Sequence, residues 1–350
     1  MRIGIMTFHW ATNYGAVLQA YALQETLNSM GHEAVLIDYY PPKFKKTLLN
    51  CLRNKRVYLI PRSIRNVKKE KKIEPFREKY LKRTAYYASS KQLRMFEMNF
   101  DCYICGSDQV WNQSFVRSSE QKKNFVYFLD FVPDDKIIAS YAASFGASSY
   151  PEDLQEELKA VLLRFNAISV REQSGVEIIQ RLKIDNVQLV PDPTLLLAPE
   201  RYEALLEEEN KGKYVFSYML HGKQADAEEI LNVLGKRQNE IRVCGNEGVE
   251  QWLKKIHDAS FVVTNSFHGT VFSILFHRPF AAVLIKGSGM NDRIITLLKA
   301  LGLEARIYQG DAAMLDADID WAYVDARLKE YRQGGHSYLE NVLSLKKGEN

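Results

Sequence analysis

The chain has 350 residues, 46% hydrophobic and 26% charged, the balance of an ordinary folded protein, which excludes global disorder. That length is more than one hydrophobic core comfortably fills, so two domains are expected. The net charge of +4 hides an asymmetry, because between Lys43 and Arg83 there are 16 Lys or Arg against only Glu70, Glu74 and Glu78, and the rest of the chain is therefore net acidic. Three readings of this basic arm stay open. It is a solvated helical face, or a dock for anionic lipid or a lipid-linked acceptor, since Leu48, Leu49, Leu52, Tyr58, Leu59 and Ile60 interleave with its bases, or a nucleic-acid contact. The last is disfavoured, because no nucleic-acid module is recognisable and no nucleic-acid partner is expected.

In chain order, Arg2 to Met6 reads as a strand, His9 to Gly15 as a loop, Ala16 to Met30 as an amphipathic helix and Glu33 to Asp38 as a second strand. This βαβ opening builds a parallel sheet. The basic arm follows as a helical insertion over about 43–83, broken by Pro41-Pro42, Pro61 and Pro75. Strands are expected at Cys102 to Cys105 and Ile137 to Tyr141, a helix from Pro151 to Phe165, a strand at Ala167 to Val170, a helix from near Glu172 and a strand at Val187 to Val190. Pro191-Asp192-Pro193 then punctuates the chain. A second alternation comprises strands at Tyr214 to Leu220, Ile241 to Cys244, Phe261 to Thr264 and Phe280 to Ile285. Its helices are Ala225 to Leu234, Val249 to Ala259, a segment from Val271 and Asn291 to Leu301. The expected domains are an α/β unit over 1–197, a second over 198–320, and helices over 321–350 packing as a cap.

After Met1-Arg2 the apolar run Ile3-Gly4-Ile5-Met6 is too short for a signal-peptide core, and no segment approaches the roughly 20 apolar residues of a membrane span. A cytoplasmic protein is expected, with peripheral contact at the inner face of the membrane if the basic arm docks there. Its four cysteines fit a reducing compartment. Cys102 and Cys105 form a C-x-x-C inside a strand pattern, where that spacing sends the two side chains to opposite faces, so buried thiols are expected rather than redox or zinc chemistry.

Common nucleotide and hydrolase signatures are absent: there is no G-x-G-x-x-G, no G-x-x-x-x-G-K-[ST], no H-E-x-x-H and no G-x-S-x-G. Asp316-Ala317-Asp318-Ile319-Asp320 contains D-x-D, a spacing that holds a divalent metal in some proteins; before Trp321 it reads more simply as a helix N-cap. No metal is expected. Phe261 to Thr264 followed by Asn265-Ser266-Phe267-His268-Gly269-Thr270 reads as strand, tight loop, then helix. This places His268 outside the carboxyl end of a strand, where α/β proteins bind ligands and a following helix offers amide N–H groups to anions.

Gly106-Ser107-Asp108-Gln109-Val110-Trp111-Asn112 crowds polar and aromatic groups after another strand. Ser107, Asp108, Gln109 and Asn112 are candidate partners for sugar hydroxyls. Trp111 is a candidate stacking surface for a pyranose, with a core tryptophan as the alternative. Asn13 and Tyr14, in the first strand-to-helix loop, are further acceptor candidates, Asn13 being equally suited to capping the helix. Arg171 at a strand end is either a bidentate clamp for phosphate or carboxylate or a structural ion pair with Glu172 or another acid. Lys286 and Arg293 add positive charge to the second half.

Taken together, Asn13-Tyr14-Gly15-Ala16, Gly106 to Asn112, Val170-Arg171-Glu172, Pro191-Asp192-Pro193-Thr194 and Ser266-Phe267-His268-Gly269-Thr270 resemble the polysaccharide pyruvyl transferase family over roughly residues 1 to 310. The resemblance implies a B-type glycosyltransferase-like α/β fold, two Rossmann-like domains facing across a cleft. It also implies transfer of a pyruvyl group from phosphoenolpyruvate to a sugar of a cell-surface glycan or its lipid-linked precursor as a ketal, without obligatory cofactor, metal or nucleotide. On that reading His268 is the general acid, with Asp108 assisting proton movement. Arg171, Lys286, Gly269, Thr270, Arg293 and Ser266 lie on the donor side, and Asn13, Tyr14, Ser107, Gln109, Trp111 and Asn112 on the acceptor side. Many members carry arginine two residues before the histidine, where this chain has Ser266; Arg293 or a residue of the basic arm is the candidate substitute. Two alternatives share the scaffold, a nucleotide-sugar glycosyltransferase and a non-catalytic glycan-assembly protein.

Overall fold

A computed structural model describes residues 1–44, 60–95, 98–118, 123–206, 212, 214–220, 224–237 and 240–346. The chain divides into two compact units, Met1–Leu196 with Gln333–Asn350, and Leu197–Arg332.

The first unit is built on short apolar strands that alternate with helices: β1 (Arg2–Met6), α1 (Tyr14–Ser29), β2 (Glu33–Leu36), α2 (Ile60–Tyr80), α3 (Ser90–Met95), β3 (Cys102–Cys105), α4 (Gln113–Ser118), β4 (Ile137–Ser140), α5 (Gln155–Leu162), β5 (Ile168–Val170), α6 (Gln173–Arg181) and β6 (Val187–Leu189). A four-stranded sheet runs β2-β1-β3-β4 with every pairing parallel, because each return path is long enough for a crossover. β3 and β4 are buried along their whole lengths, as a sheet covered on both faces requires. The parallel pair β5-β6 continues from β4 through bridges Ala139↔Ala167 and Ala143↔Val170.

The helical arm departs from expectation at one proline. Pro75 lies inside α2, which continues to Tyr80. Arg77, two residues beyond it, is buried; it donates to Glu70 and Glu74, 2.6 Å each, and to the carbonyls of Trp10 and Ala11, 3.0 Å each. These bonds tie both sides of the proline to the loop after β1 and offset the missing backbone bond. The apolar residues Leu48, Leu49, Leu52, Tyr58 and Leu59 lie outside the described residues, and Ile60 opens α2.

The second unit repeats the plan with α7 (Pro199–Glu203), β7 (Tyr214–Tyr218), α8 (Ala225–Lys236), β8 (Glu240–Val243), α9 (Val249–His257), β9 (Phe261–Thr264), α10 (Phe267–Leu275), β10 (Phe280–Ala282) and α11 (Asp292–Leu301). Its sheet order is β10-β9-β7-β8, again parallel throughout. Each four-stranded sheet therefore places its first strand between its second and third, and the order reverses between β1 and β3 in one unit and between β7 and β9 in the other. Two local differences matter for the site. Helix α10 begins at Phe267 rather than at Val271, and β10 ends at Ala282, so Lys286 lies in a turn beyond the strand.

The residues expected as separate capping helices form one helix, α12 (Trp321–Ser344), and the division between units falls inside it. Asp320 caps it by accepting from Tyr323 N at 3.0 Å, and Asp316 pairs with Arg237, so this acidic run acts structurally. No group of three metal-ligating side chains occurs among the described residues, and no helix there is long and apolar enough to cross a membrane.

Candidate active site

At the reversal point of the first sheet, the ends of β1 and β3 are stitched together by polar side chains. Thr7 Oγ1 donates to Ser107 O at 2.7 Å, and Gln19 of α1 donates to Thr7 Oγ1 at 2.9 Å. His9 follows directly, fully buried, with Nε2 3.0 Å from Asp38 and Nδ1 3.2 Å from Thr7 O. A histidine just past the first strand of a βαβ unit was the signal available for this pair, but its acid comes from beyond β2.

Asp192 organises the rest. It accepts from Arg171 Nη1 at 2.5 Å, Ser107 Oγ at 2.8 Å, Thr194 N at 3.0 Å and Thr194 Oγ1 at 2.6 Å. Arg171 also lies 3.8 Å from Asp108 and 3.9 Å from Glu172, whose other oxygen accepts from Phe145 N at 3.0 Å. Burial works against the Arg171 charge, yet the three acids together, Asp192 foremost, hold its pKa above the ordinary value. Of the two readings of Arg171, the structure selects the ion pair. With 2% exposure it is not an open clamp.

Asp108 is the partly open carboxylate of this group. It sits at φ +77°, the left-handed region that non-glycine residues adopt rarely and that Asp tolerates better than most. Its Oδ1 accepts from Gln109 N at 2.8 Å, and Gln109 packs beside Gly146, where an added Cβ would lie 2.6 Å from it.

Three acceptor candidates are corrected by burial. Trp111 is 0% exposed, stacks on Phe128 at 5.1 Å and donates from Nε1 to Tyr127 O; it fills the core, and no pyranose reaches it. Ser107 is equally buried, with its hydroxyl committed to Asp192. Tyr14 is buried with Lys69 Nζ over its ring at 4.0 Å. Asn13 caps α1 by accepting from Gly15 N, and Asn112 accepts from Ser114 N and Oγ at the start of α4. Cys102 and Cys105 are buried free thiols as expected, Cys102 pushed up to about 12 and Cys105 further, both by burial.

At the reversal point of the second sheet, a chain of hydroxyls sets the helix start. Thr264 Oγ1 donates to Tyr218 O at 2.7 Å and accepts from Ser266 N at 3.0 Å, joining the ends of β7 and β9. Ser266 is the N-cap of α10 and accepts from Gly269 N at 3.2 Å. An arginine at that position would forgo the cap. Thr270 and Ser273 spend their hydroxyls on Ser266 O and Gly269 O. Gly269 is required by proximity, since a Cβ there would lie 2.5 Å from Thr264 Oγ1.

His268 is thus the second residue of a helix, at its positive end, 6% exposed. Its ring meets Phe267 edge to face at 5.1 Å, and the Arg293 guanidinium lies 5.9 Å from the same Phe267 ring. The Phe267 ring is thus contacted by His268 from α10 and by Arg293 from α11. Lys286 is exposed in the turn that Gly287, at φ +70°, completes. Asn265 accepts from Leu220 N at 2.7 Å, a contact between the loops after the neighbouring strands β9 and β7 that strand patterns alone do not reveal.

Solved structures of similar fold are UDP-GlcNAc 2-epimerases. One from Methanocaldococcus jannaschii has TM-score 0.52 at 8% identity, covering 98% of this chain and 99% of its own. The same protein in complex with UDP-GlcNAc and UDP gives 0.51 at 10%, over 98% and 99%. One from Neisseria meningitidis bound to UDP-GlcNAc gives 0.50 at 6%, over 98% and 99%. At these identities the likeness shows the fold, that of B-type glycosyltransferases and related epimerases with Rossmann-like domains. No curated protein matches the chain in sequence. Residues 13–286 match the family profile described as polysaccharide pyruvyl transferase, a span that contains Asp108, Arg171, Asp192 and His268. With that match over most of its length, the chain belongs to the polysaccharide pyruvyl transferase family.

Proposed function

We propose that this transferase moves a pyruvyl group from phosphoenolpyruvate to a sugar of a cell-surface glycan, or to its lipid-linked precursor, and leaves it there as a ketal. The observation that carries the reading is His268 in the first turn of α10, its ring against Phe267, which also carries the Arg293 guanidinium at 5.9 Å, within a chain that the family profile matches. Phosphoenolpyruvate brings a phosphate and a carboxylate, which suit a helix N-terminus and a guanidinium. Lys286 is a further candidate cation from its exposed turn.

In the proposed reaction His268 protonates the methylene carbon, which leaves an oxocarbenium-like centre on the adjacent carbon. One sugar hydroxyl adds there, forming a C–O bond and returning its proton to His268. A second hydroxyl then forms the other C–O bond as the bond to phosphate breaks, and its proton leaves with inorganic phosphate. Asp108, Gln109, Asn13 and Asn112 are the proposed acceptor-side polar groups of the first unit. Arg171 serves as a positioning residue there, 3.8 Å from Asp108.

The test is incubation of purified protein with phosphoenolpyruvate and candidate acceptor sugars, following phosphate release and ketal formation. Release of nucleoside diphosphate from a nucleotide sugar would replace the reading with a glycosyltransferase, and absence of binding by any donor would make the protein non-catalytic. We further place the reaction on the cytoplasmic side of the membrane, with the basic arm touching anionic lipid. Sedimentation with phosphatidylserine vesicles should then weaken as salt rises, and salt-independent or absent binding removes that part.

A further inference from the structure

We infer that the side-chain amide of Asn265 is a ligand-reading donor, which hydrogen-bonds to an anionic oxygen of the molecule held at the α10 N-terminus. The inference deepens the proposed function and rests on its placing an anionic donor at this end of the sheet. Asn265 follows the last residue of β9, and its Oδ1 accepts from Leu220 N, two residues past the end of β7. The partner is a backbone N–H, which can only donate, so the atom facing it must be the carbonyl oxygen and the amide orientation is fixed. Nδ2 is thereby committed to the other edge. The residue is 5% exposed, and Nδ2 meets no acceptor among the described residues.

Buried amide donors nearly always have partners, and one held without an acceptor invites a ligand atom. The location agrees: Asn265 spans the two strand ends between which the sheet order reverses, and it lies two residues before the first residue of α10. An amide N–H and a helix N-terminus both favour oxygen acceptors bearing negative charge. Phosphoryl and carboxylate oxygens share that chemistry, and the measurement separates them.

Calorimetry on the full-length protein with phosphoenolpyruvate, pyruvate, inorganic phosphate and UDP, each titrated separately, identifies which anions bind. Asn265→Asp keeps an oxygen for Leu220 N and replaces the donor with a negative oxygen. Its affinity for the bound anion should fall on the order of tenfold or more, with the larger loss for the more highly charged ligand. Lowering the pH protonates the new carboxyl, restores an O–H donor and should narrow the gap to wild type; a purely structural role would show no such recovery. A second readout avoids substitution altogether, since the Asn265 side-chain amide resonance of 15N-labelled protein should shift when the anion is added.

Unchanged affinity in Asn265→Asp, an unmoved resonance, or failure of all four anions to bind overturns the inference. Phosphoenolpyruvate turnover with affinity indifferent to Asn265→Asp would leave the proposed function standing and remove only this residue's role. UDP or phosphate binding that depends on Asn265, without phosphoenolpyruvate turnover, would do the reverse.

Discussion

Arg171 and Asp192 meet at 2.5 Å with their side chains at most 1% exposed, and the same carboxylate also receives Ser107 and Thr194. Residues from the ends of β3 and β5 and from the loop after β6 are thus fixed by one acid. Breaking a buried pair from one side leaves a charge with neither water nor partner, which costs more than the pair contributes. Asp192→Asn should therefore lower stability by about 3–5 kcal/mol, read as a shift of the urea midpoint. A midpoint like that of wild type would show that the neighbouring acids suffice for Arg171.

His268 occupies a different place, the first turn of α10. His268→Gln keeps the size and removes the titrating ring. Turnover should drop by about 100-fold or more while stability changes by less than about 1 kcal/mol. Steady-state kinetics beside thermal unfolding decides this, and retained turnover would remove His268 as the acid.

Two neighbouring glycines in α12 should respond with opposite signs. A Cβ at Gly334 meets nothing within 4 Å, whereas one at Gly335 would lie 2.5 Å from Tyr141 Oη and 2.8 Å from Pro191. Gly334→Ala should stabilise by roughly 0.5–1 kcal/mol through helix propensity, and Gly335→Ala should destabilise by about 1–3 kcal/mol through overpacking. Paired melting curves check both.

The buried thiols predict an alkaline loss of stability. Cys102 is raised by burial from an ordinary 9.0 to about 12, and Cys105 is also raised. Above about pH 9 the unfolded chain releases these protons while the folded chain keeps them. The unfolded state then binds fewer protons, so this contribution, complete below pH 9, is lost as pH climbs toward 12. Urea titrations at pH 8 and 10 should show the decline, and Cys102→Ala with Cys105→Ala should flatten it. In the native state at pH 8 neither thiol should react with a thiol reagent.

What was legible in the sequence was local or periodic. The apolar runs of β1, β3 and β9 mark a parallel α/β sheet, and the spacing around His268 puts it after a strand and before a helix, because β-branched runs and N-caps act over a few residues. Pro75 misled, since the proline ring weakens a helix locally while Arg77 secures it through bonds to residues more than sixty positions away.

Tertiary structure alone decided the choices that depend on burial and on distant partners. Trp111 is equally suited by composition to a sugar face or a core; Phe128, Phe145 and Phe165 close around it and make it core. Arg171 was poised between anion clamp and ion pair until Asp192 arrived from 21 residues on, and Asn265 acquired a direction only when Leu220 fixed its oxygen. Sequence by itself determined which residues carry charge, donors and rings, and which strand ends they follow. Which of those groups face water and which are spent on one another was settled by packing, because desolvation and hydrogen-bond geometry depend on neighbours that only the fold brings together.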